Sequence, residues 1–268
     1  MTYEFIEVDD PVPQVRRITL NRPDKRNAIN NRMRAELFAA LEAADTDASV
    51  HVSIVRGSGA CFSSGYDLKA TGEERPYYTA AGDGSWSRHV TEGWTRIWDL
   101  AKPVIAQVHG YAMAGGTELV AACDLVYVAR DATFSYPVVR IISPPDFQYH
   151  PWLVGMRNAM ELVLTGDPIT GEDAARMGLA NRAFEEKELE EKVLGIAQRI
   201  AGIPAELLQI NKRSVHRAME IMGIRTGLRA GSELQALAAR LPSVQALLAG
   251  DAVASVKRAA GDRAGGPQ

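Results

Sequence analysis

The stretch HGYAMAGGTELVAACD, His109–Asp124, decides how the rest of the chain is read. Before it stands Pro103–Val108, a short apolar run of the kind expected of a strand buried on both faces. Within it, GGTELVAAC reads as a helix entered through Gly115 and Gly116, and DLVYVA, Asp124–Ala129, reads as the next strand. Working outward, Val15–Leu20 is a strand stopped by the turn NRPDKRN. Asn31 to Ala44 is a helix with Met33, Leu37, Ala40 and Leu41 on one face, and Val50–Arg56 is a strand ended by GSGA. Strands alternating with helices argue for α/β layering. Beyond Gly171 the pattern turns helical, over Glu172–Met177, Glu186–Ile200, Pro204–Met222 and Ser232–Leu248. The expected organisation is an α/β core over residues 1–200 and a helical C-terminal region over 201–268. Residues 71–92, with Gly, Pro and polar residues among aromatics, read as a surface loop or a mobile wall of a binding site, and the tail AAGDRAGGPQ is expected to fray.

Composition narrows the function classes. The 268 residues are 46% hydrophobic and 24% charged, enough to bury a sizeable core without metals or disulfides. A net charge of -3 implies no basic face for nucleic acid. Cys61 and Cys123 sit among small apolar residues and read as buried free thiols, and no Cys/His ligand spacing supports a metal site. The N-terminus MTYEFIEVDD lacks the apolar region of a signal peptide, and no apolar run approaches a membrane span. A reducing cytoplasm is the expected setting.

Two glycine corners carry the chemistry. One is ACFSSGYDLKA, residues 60–70, and the other is the stretch quoted above. A helix N-terminus leaves backbone N–H groups unpaired, and those donors suit a negative oxygen. Glycine lets backbone approach a ligand closely. Two such corners facing one atom would form an oxyanion hole.

Four segments, ITLNRPDKRNAIN, FSSGYDLK, KPVIAQVHGYAMAGGTELVAACDLVYVARDATFSYP and LTGDPITGEDAARMGLANR, resemble in order and spacing the signatures of the enoyl-CoA hydratase/isomerase (crotonase) family. The resemblance runs from about residue 15 to 185 and more loosely to about 235. It implies an α/β spiral of ββα units, a C-terminal helical trimerisation region, and homotrimers or hexamers. It implies an acyl-CoA thioester as substrate, with coenzyme A as part of that substrate and no separate cofactor. Carried onto this sequence, the oxyanion donors are the N–H groups of Tyr66 and Gly115, with Ala114 standing where the motif usually has a third glycine. Coenzyme A would lie along NRPDKRNA, bordered by Lys25, Arg26, Ala28, Ser64, Asp67, Leu68 and Lys69, Asp67 also being suited to stabilising its turn.

The acid–base groups depart from the family. Its hydratases use two glutamates, and the first falls on Glu118, three residues after Gly115. The second position is Val138, in FSYPVVR, which cannot transfer a proton. Asp146, in SPPDFQYHPW, resembles instead the position of the catalytic aspartate in dienoyl-CoA isomerases and in 4-chlorobenzoyl-CoA dehalogenase. The expectation is a proton-handling pair of Glu118 and Asp146, assisted by Tyr149 or His150; the alternative is that Asp146 caps the helix that follows. His109 reads as a structural hydrogen-bonder. A double-bond isomerase fits this pattern better than a hydratase. Decarboxylation, hydrolysis or dehalogenation on the same fold stays open, as does a non-catalytic acyl-CoA-binding subunit. A serine hydrolase is disfavoured, because Ser63 and Ser64 lie in no GxSxG elbow.

Overall fold

The computed structural model describes residues 2–68, 85–250 and 252–261. Its N-terminal part begins with an antiparallel pair, β1 (Ile6–Val12) and β2 (Val15–Leu20), followed by helix α1 (Asn31–Thr46) and strand β3 (Val52–Gly57). Asn30 starts α1 by accepting a hydrogen bond from Met33 N at 2.7 Å, as an N-cap does. Helix α2 (Ser85–Asp99) then leads to β4 (Val104–Val108), β5 (Tyr111–Met113), α3 (Gly115–Ala122), β6 (Leu125–Ala129) and β7 (Thr133–Ser135). The segment read as a loop to residue 92 is therefore helical from Ser85; residues 69–84 lie outside the described part.

The remaining elements are α4 (His150–Leu153), α5 (Gly155–Thr165), β8 (Ile169–Thr170), α6 (Gly171–Met177), β9 (Arg182–Phe184), α7 (Glu186–Ala201), α8 (Ala205–Ile221), α9 (Ile224–Ala238), α10 (Pro242–Leu248) and α11 (Ala252–Gly261). One helix expected over Ser232–Leu248 is thus two. Pro242 carries no N–H and opens α10, while Leu241 before it is held extended at ψ 135°. The tail stays helical to Gly261, and residues 262–268 lie outside the described part.

Among the described residues the strands form a six-stranded sheet of order β1-β2-β3-β4-β6-β9, parallel except for β1, and a three-stranded sheet β5-β7-β8. Strand β4 lies at the centre and every one of its residues is buried, Gln107 being its one polar side chain among apolar neighbours. The two sheets alternate along the chain, β4 then β5 and β6 then β7, each pair followed by a helix or helical turn. That is the ββα spiral, and α7 packs against the outer face of the larger sheet.

The helical C-terminal part is pinned to the core by charge. Asp124, just before β6, accepts from Lys212 Nζ at 2.8 Å and pairs with His216 Nε2 at 2.7 Å, both on α8. Its second task is to accept from Val104 N at 2.7 Å, and Trp98 of α2 stacks on the His216 ring. The Lys212 side chain is 6% exposed, and it also donates to the carbonyls of Ile97 and Lys102. Removing one partner of such a pair leaves a buried charge uncompensated. Asp124→Ala is expected to lower unfolding free energy by roughly 3–5 kcal/mol, read from urea denaturation at neutral pH. A midpoint equal to wild type would mean that Lys212 is solvated and the pin idle.

Candidate active site

Asn27 knits the first loop to the first glycine corner. It is fully buried and sits at φ 51°, a left-handed conformation that asparagine tolerates. Its Nδ2 donates to Ser58 O at 2.8 Å and Cys61 O at 2.9 Å, and its Oδ1 accepts from Arg22 N at 2.9 Å. Ser63 Oγ returns a bond to Asn27 O at 2.8 Å, and Ser64 N donates to Arg26 O at 2.9 Å. A parallel bridge then brackets Tyr66: Ile29 N donates to Gly65 O, and Asp67 N donates to Ile29 O. Both bonds lie on the Ile29 side. Adjacent N–H groups of an extended chain point to opposite sides, so the Tyr66 N–H faces away from Ile29.

The second corner meets the first without room for a methyl group. A Cβ on Gly65 would stand 2.8 Å from Met113 O and 3.2 Å from Gly115 N. A Cβ on Gly115 would stand 2.6 Å from Cε2 and Cζ of Tyr66, and one on Gly116 would stand 2.9 Å from Ser63 O. Among the described residues neither Tyr66 N nor Gly115 N donates to a backbone or side-chain acceptor. Gly115 is the first residue of α3, where an unpaired N–H is the rule. Two unspent donors therefore lie on the two touching corners.

Glu118 lies one turn inside α3 with no exposed surface. Its Oε2 accepts from the Tyr66 hydroxyl. Its Oε1 accepts from the Tyr136 hydroxyl at 2.9 Å and from Phe147 N at 3.1 Å. Burial first, and the charge of Asp146 second, push the Glu118 carboxyl up to about 8, against the pull of those three donors. Asp146 is itself buried, its backbone N–H 3.4 Å from the Tyr136 oxygen and its carbonyl accepting from Thr91. It does not cap a helix: α4 starts at His150 and has no side-chain cap. Burial and then the Glu118 charge hold the Tyr66 and Tyr136 phenols well above the ordinary phenol range, so both stay neutral.

The other expected site residues fall into groups. Lys25 and Arg26 are exposed on the turn after β2, with Ala28 and Ser64 half-buried beside them, and Leu68 is exposed. Asp67 pairs with Arg22 at 3.0 Å, which ties the turn to the corner. Lys69 lies outside the described residues. Tyr149 and His150 are buried and stacked, ring centroids 4.0 Å apart. Tyr149 lies beside Thr117, and His150 Nδ1 meets Gln148 Oε1 at 2.8 Å. Burial pushes His150 down to about 4, so it is neutral at pH 7. The two line a cavity of about 20 Å³ together with Thr117 and Tyr136, and among the described residues no hydrogen bond joins either to Glu118. His109 Nε2 bonds Gly59 O at 2.9 Å, a structural role as expected. Val138 sits in the helical turn Pro137–Arg140 and brings no ionisable group.

Sequence reading missed two members of this site, the side chains of Tyr66 and Tyr136. Tyr66 was read through its backbone alone. Tyr136 is two residues before Val138, and the signal for it was a phenol next to the position where the family's second glutamate is lost.

Residues 13–243 match the family described as enoyl-CoA hydratase/isomerase. The chain is 32% identical over 225 residues to 2,3-dehydroadipyl-CoA hydratase of Escherichia coli, covering 83% of this chain and 86% of that protein. It is 35% identical over 216 residues to carnitinyl-CoA dehydratase of Salmonella typhi, covering 79% and 80%. The crystal structure of an enoyl-CoA hydratase/isomerase from Xanthobacter autotrophicus Py2 superposes with a TM-score of 0.87 at 35% identity, over the full length of both chains. A match that takes in both glycine corners, Glu118 and Asp146, on a fold shared from end to end, means that the chain belongs to the enoyl-CoA hydratase/isomerase family.

Proposed function

We propose that the protein acts on an acyl-CoA thioester through an enolate, held by the N–H groups of Tyr66 and Gly115, with Glu118 and Asp146 handling the proton. The observation that carries this reading is Glu118 itself. It is a fully buried carboxyl, raised toward neutrality, one helical turn behind an unspent N–H. Donors fixed beside a carbonyl oxygen stabilise the charge that develops there as the neighbouring carbon loses or gains a proton. Lys25 and Arg26, exposed at the mouth of the knitted turn, are suited to the phosphates of coenzyme A.

Burial and the charge of Asp146 push the Glu118 carboxyl up to about 8, so Glu118 keeps its proton near neutral pH. One acid and one base in a single pocket is what a double-bond shift requires. The names of the relatives favour hydration as a second reading, since those named above are a hydratase and a dehydratase. Against it stands Val138, where no water-activating carboxylate is available. The helical region over 201–268 is proposed to pack against further copies of the chain as a trimer or hexamer. Leu207, Ile210, Val215, Ile221 and Met222 on and just after α8, and Leu234 and Leu237 on α9, are apolar and exposed, which supports that role.

Product mass on crotonyl-CoA, 3-enoyl-CoA and dienoyl-CoA tests the reaction. Double-bond migration is expected without a mass gain, and Glu118→Gln and Asp146→Asn should each lose roughly 10²–10⁴ in rate. Rapid hydration unaffected by Asp146→Asn would sink the isomerase version. Stability supplies a second check with a definite sign. The folded Glu118 carboxyl is raised above its unfolded value of 4.5, so the stability of the neutral form is complete below that and lost as pH climbs toward about 8. Glu118→Gln stays neutral, so its melting temperature relative to wild type should rise between those two pH values. A constant difference would show that Glu118 titrates as in water.

A further inference from the structure

We propose that the Tyr66 hydroxyl is the group that exchanges the proton with the substrate carbon, and that Glu118 is the store behind it. This deepens the enolate reading above and rests on it. Three observations place the phenol between the carboxyl and the substrate. The Tyr66 hydroxyl occupies Oε2 of Glu118, while Oε1 is taken by Tyr136 and Phe147 N. The ring carbon that bears this hydroxyl lies against Gly115, where a Cβ would be 2.6 Å from it, so the ring edge packs on the residue that carries one of the two unspent N–H donors. Trp94 Nε1 donates to the same phenol oxygen at 2.8 Å and fixes its position. Glu118 is thus boxed in by protein on both oxygens, and a thioester carbon held at the two N–H groups meets the phenol first.

The hydrogen-bond arithmetic permits traffic in both directions. A phenol oxygen has one proton and two acceptor sites. With Glu118 ionised, Tyr66 donates to Oε2 and accepts from Trp94, leaving one lone pair toward the substrate. As the α C–H bond breaks, that lone pair takes the proton, the Tyr66 O–H proton passes to Oε2, and the C–H electron pair becomes the enolate. With Glu118 protonated, the proton belongs on Oε2, because Oε1 faces Phe147 N, which can only donate. Oε2–H then donates to Tyr66, whose own O–H is released toward the site. Collapse of the enolate forms the C–H bond with that proton, Glu118 refills the phenol, and the thioester C=O is restored. Net, one proton moves between carbon and carboxyl, and no other reactant is needed. Among the described residues the Tyr136 hydroxyl is hydrogen-bonded only to Glu118 and the Asp146 N–H, which makes it a positioning residue.

The test is exchange of the α-proton of butyryl-CoA and of a 3-enoyl-CoA with solvent deuterium, followed by mass spectrometry beside calorimetric binding. Tyr66→Phe keeps the ring over Gly115 and should bind both thioesters as wild type does, with exchange slower by roughly 10²–10⁴. Exchange from the saturated thioester begins with proton removal, so it should climb with pH as Glu118 ionises. Tyr136→Phe removes a donor from the carboxylate and should move that climb to higher pH. A fluorinated tyrosine at position 66, more acidic but equally shaped, should alter the pH profile where a purely structural ring would not. Wild-type exchange by Tyr66→Phe, or an unchanged profile with the fluorinated residue, would overturn the relay and leave the enolate reading standing. Binding without exchange in wild type would overturn both.

Discussion

Gly65 and Gly115 lie so close that neither position admits a methyl group, and the site follows from that contact. A side chain on Gly65 would strike the carbonyl of Met113, and one on Gly115 would strike the Tyr66 ring. Because the two backbones touch, the two N–H groups left over by their local structure lie on adjoining segments. Neither is spared by accident. The Tyr66 amide is turned away by a parallel bridge whose bonds lie on the other side, and the Gly115 amide is free because a helix starts there. The surrounding network, Asn27 and Ser63 above all, spends its hydrogen bonds on holding the loops in this contact.

Much of the fold was legible because its strands and helices carry strong local signals. Strand Val15–Leu20 was read with its observed ends, and the helices at Asn31 and Gly115 were found from apolar spacing and from glycine. What was missed has identifiable physical causes. Helix α2 shows Val90, Trp94, Ile97 and Trp98 at helical spacing, but the polar and glycine-bearing residues before it masked the start. The break before α10 was written in Pro242 and overlooked.

The site divides in the same way. Glu118 stood out because a carboxyl in a helix of small apolar residues needs a reason. Asp146 stood out as a gain opposite a loss at Val138. The phenols did not, because a tyrosine pattern cannot say which acceptor a hydroxyl will find. Tyr66 and Tyr136 are 52 and 18 residues from Glu118 along the chain, and only the folded chain brings them to its two oxygens. Their effect is nonetheless chemical. They are neutral donors that hold a carboxyl in place without adding charge, which leaves burial and Asp146 free to raise it.

Ala114 shows what the arrangement costs. It stands at φ 45°, a left-handed conformation that alanine avoids, at the turn from β5 into α3. Such strain costs on the order of 1–3 kcal/mol and survives only where the surroundings dictate it. They do so here. Ala114 N donates to Ser135 O at 2.9 Å, and Ala114 O accepts from Thr117 N, Thr117 Oγ1 and Glu118 N. A residue clamped at both ends cannot relax without releasing the first turn of α3. The clamp holds Gly115 and Glu118 in the first turn of α3, so the strained turn is the junction between β5 and the helix that carries the buried carboxyl.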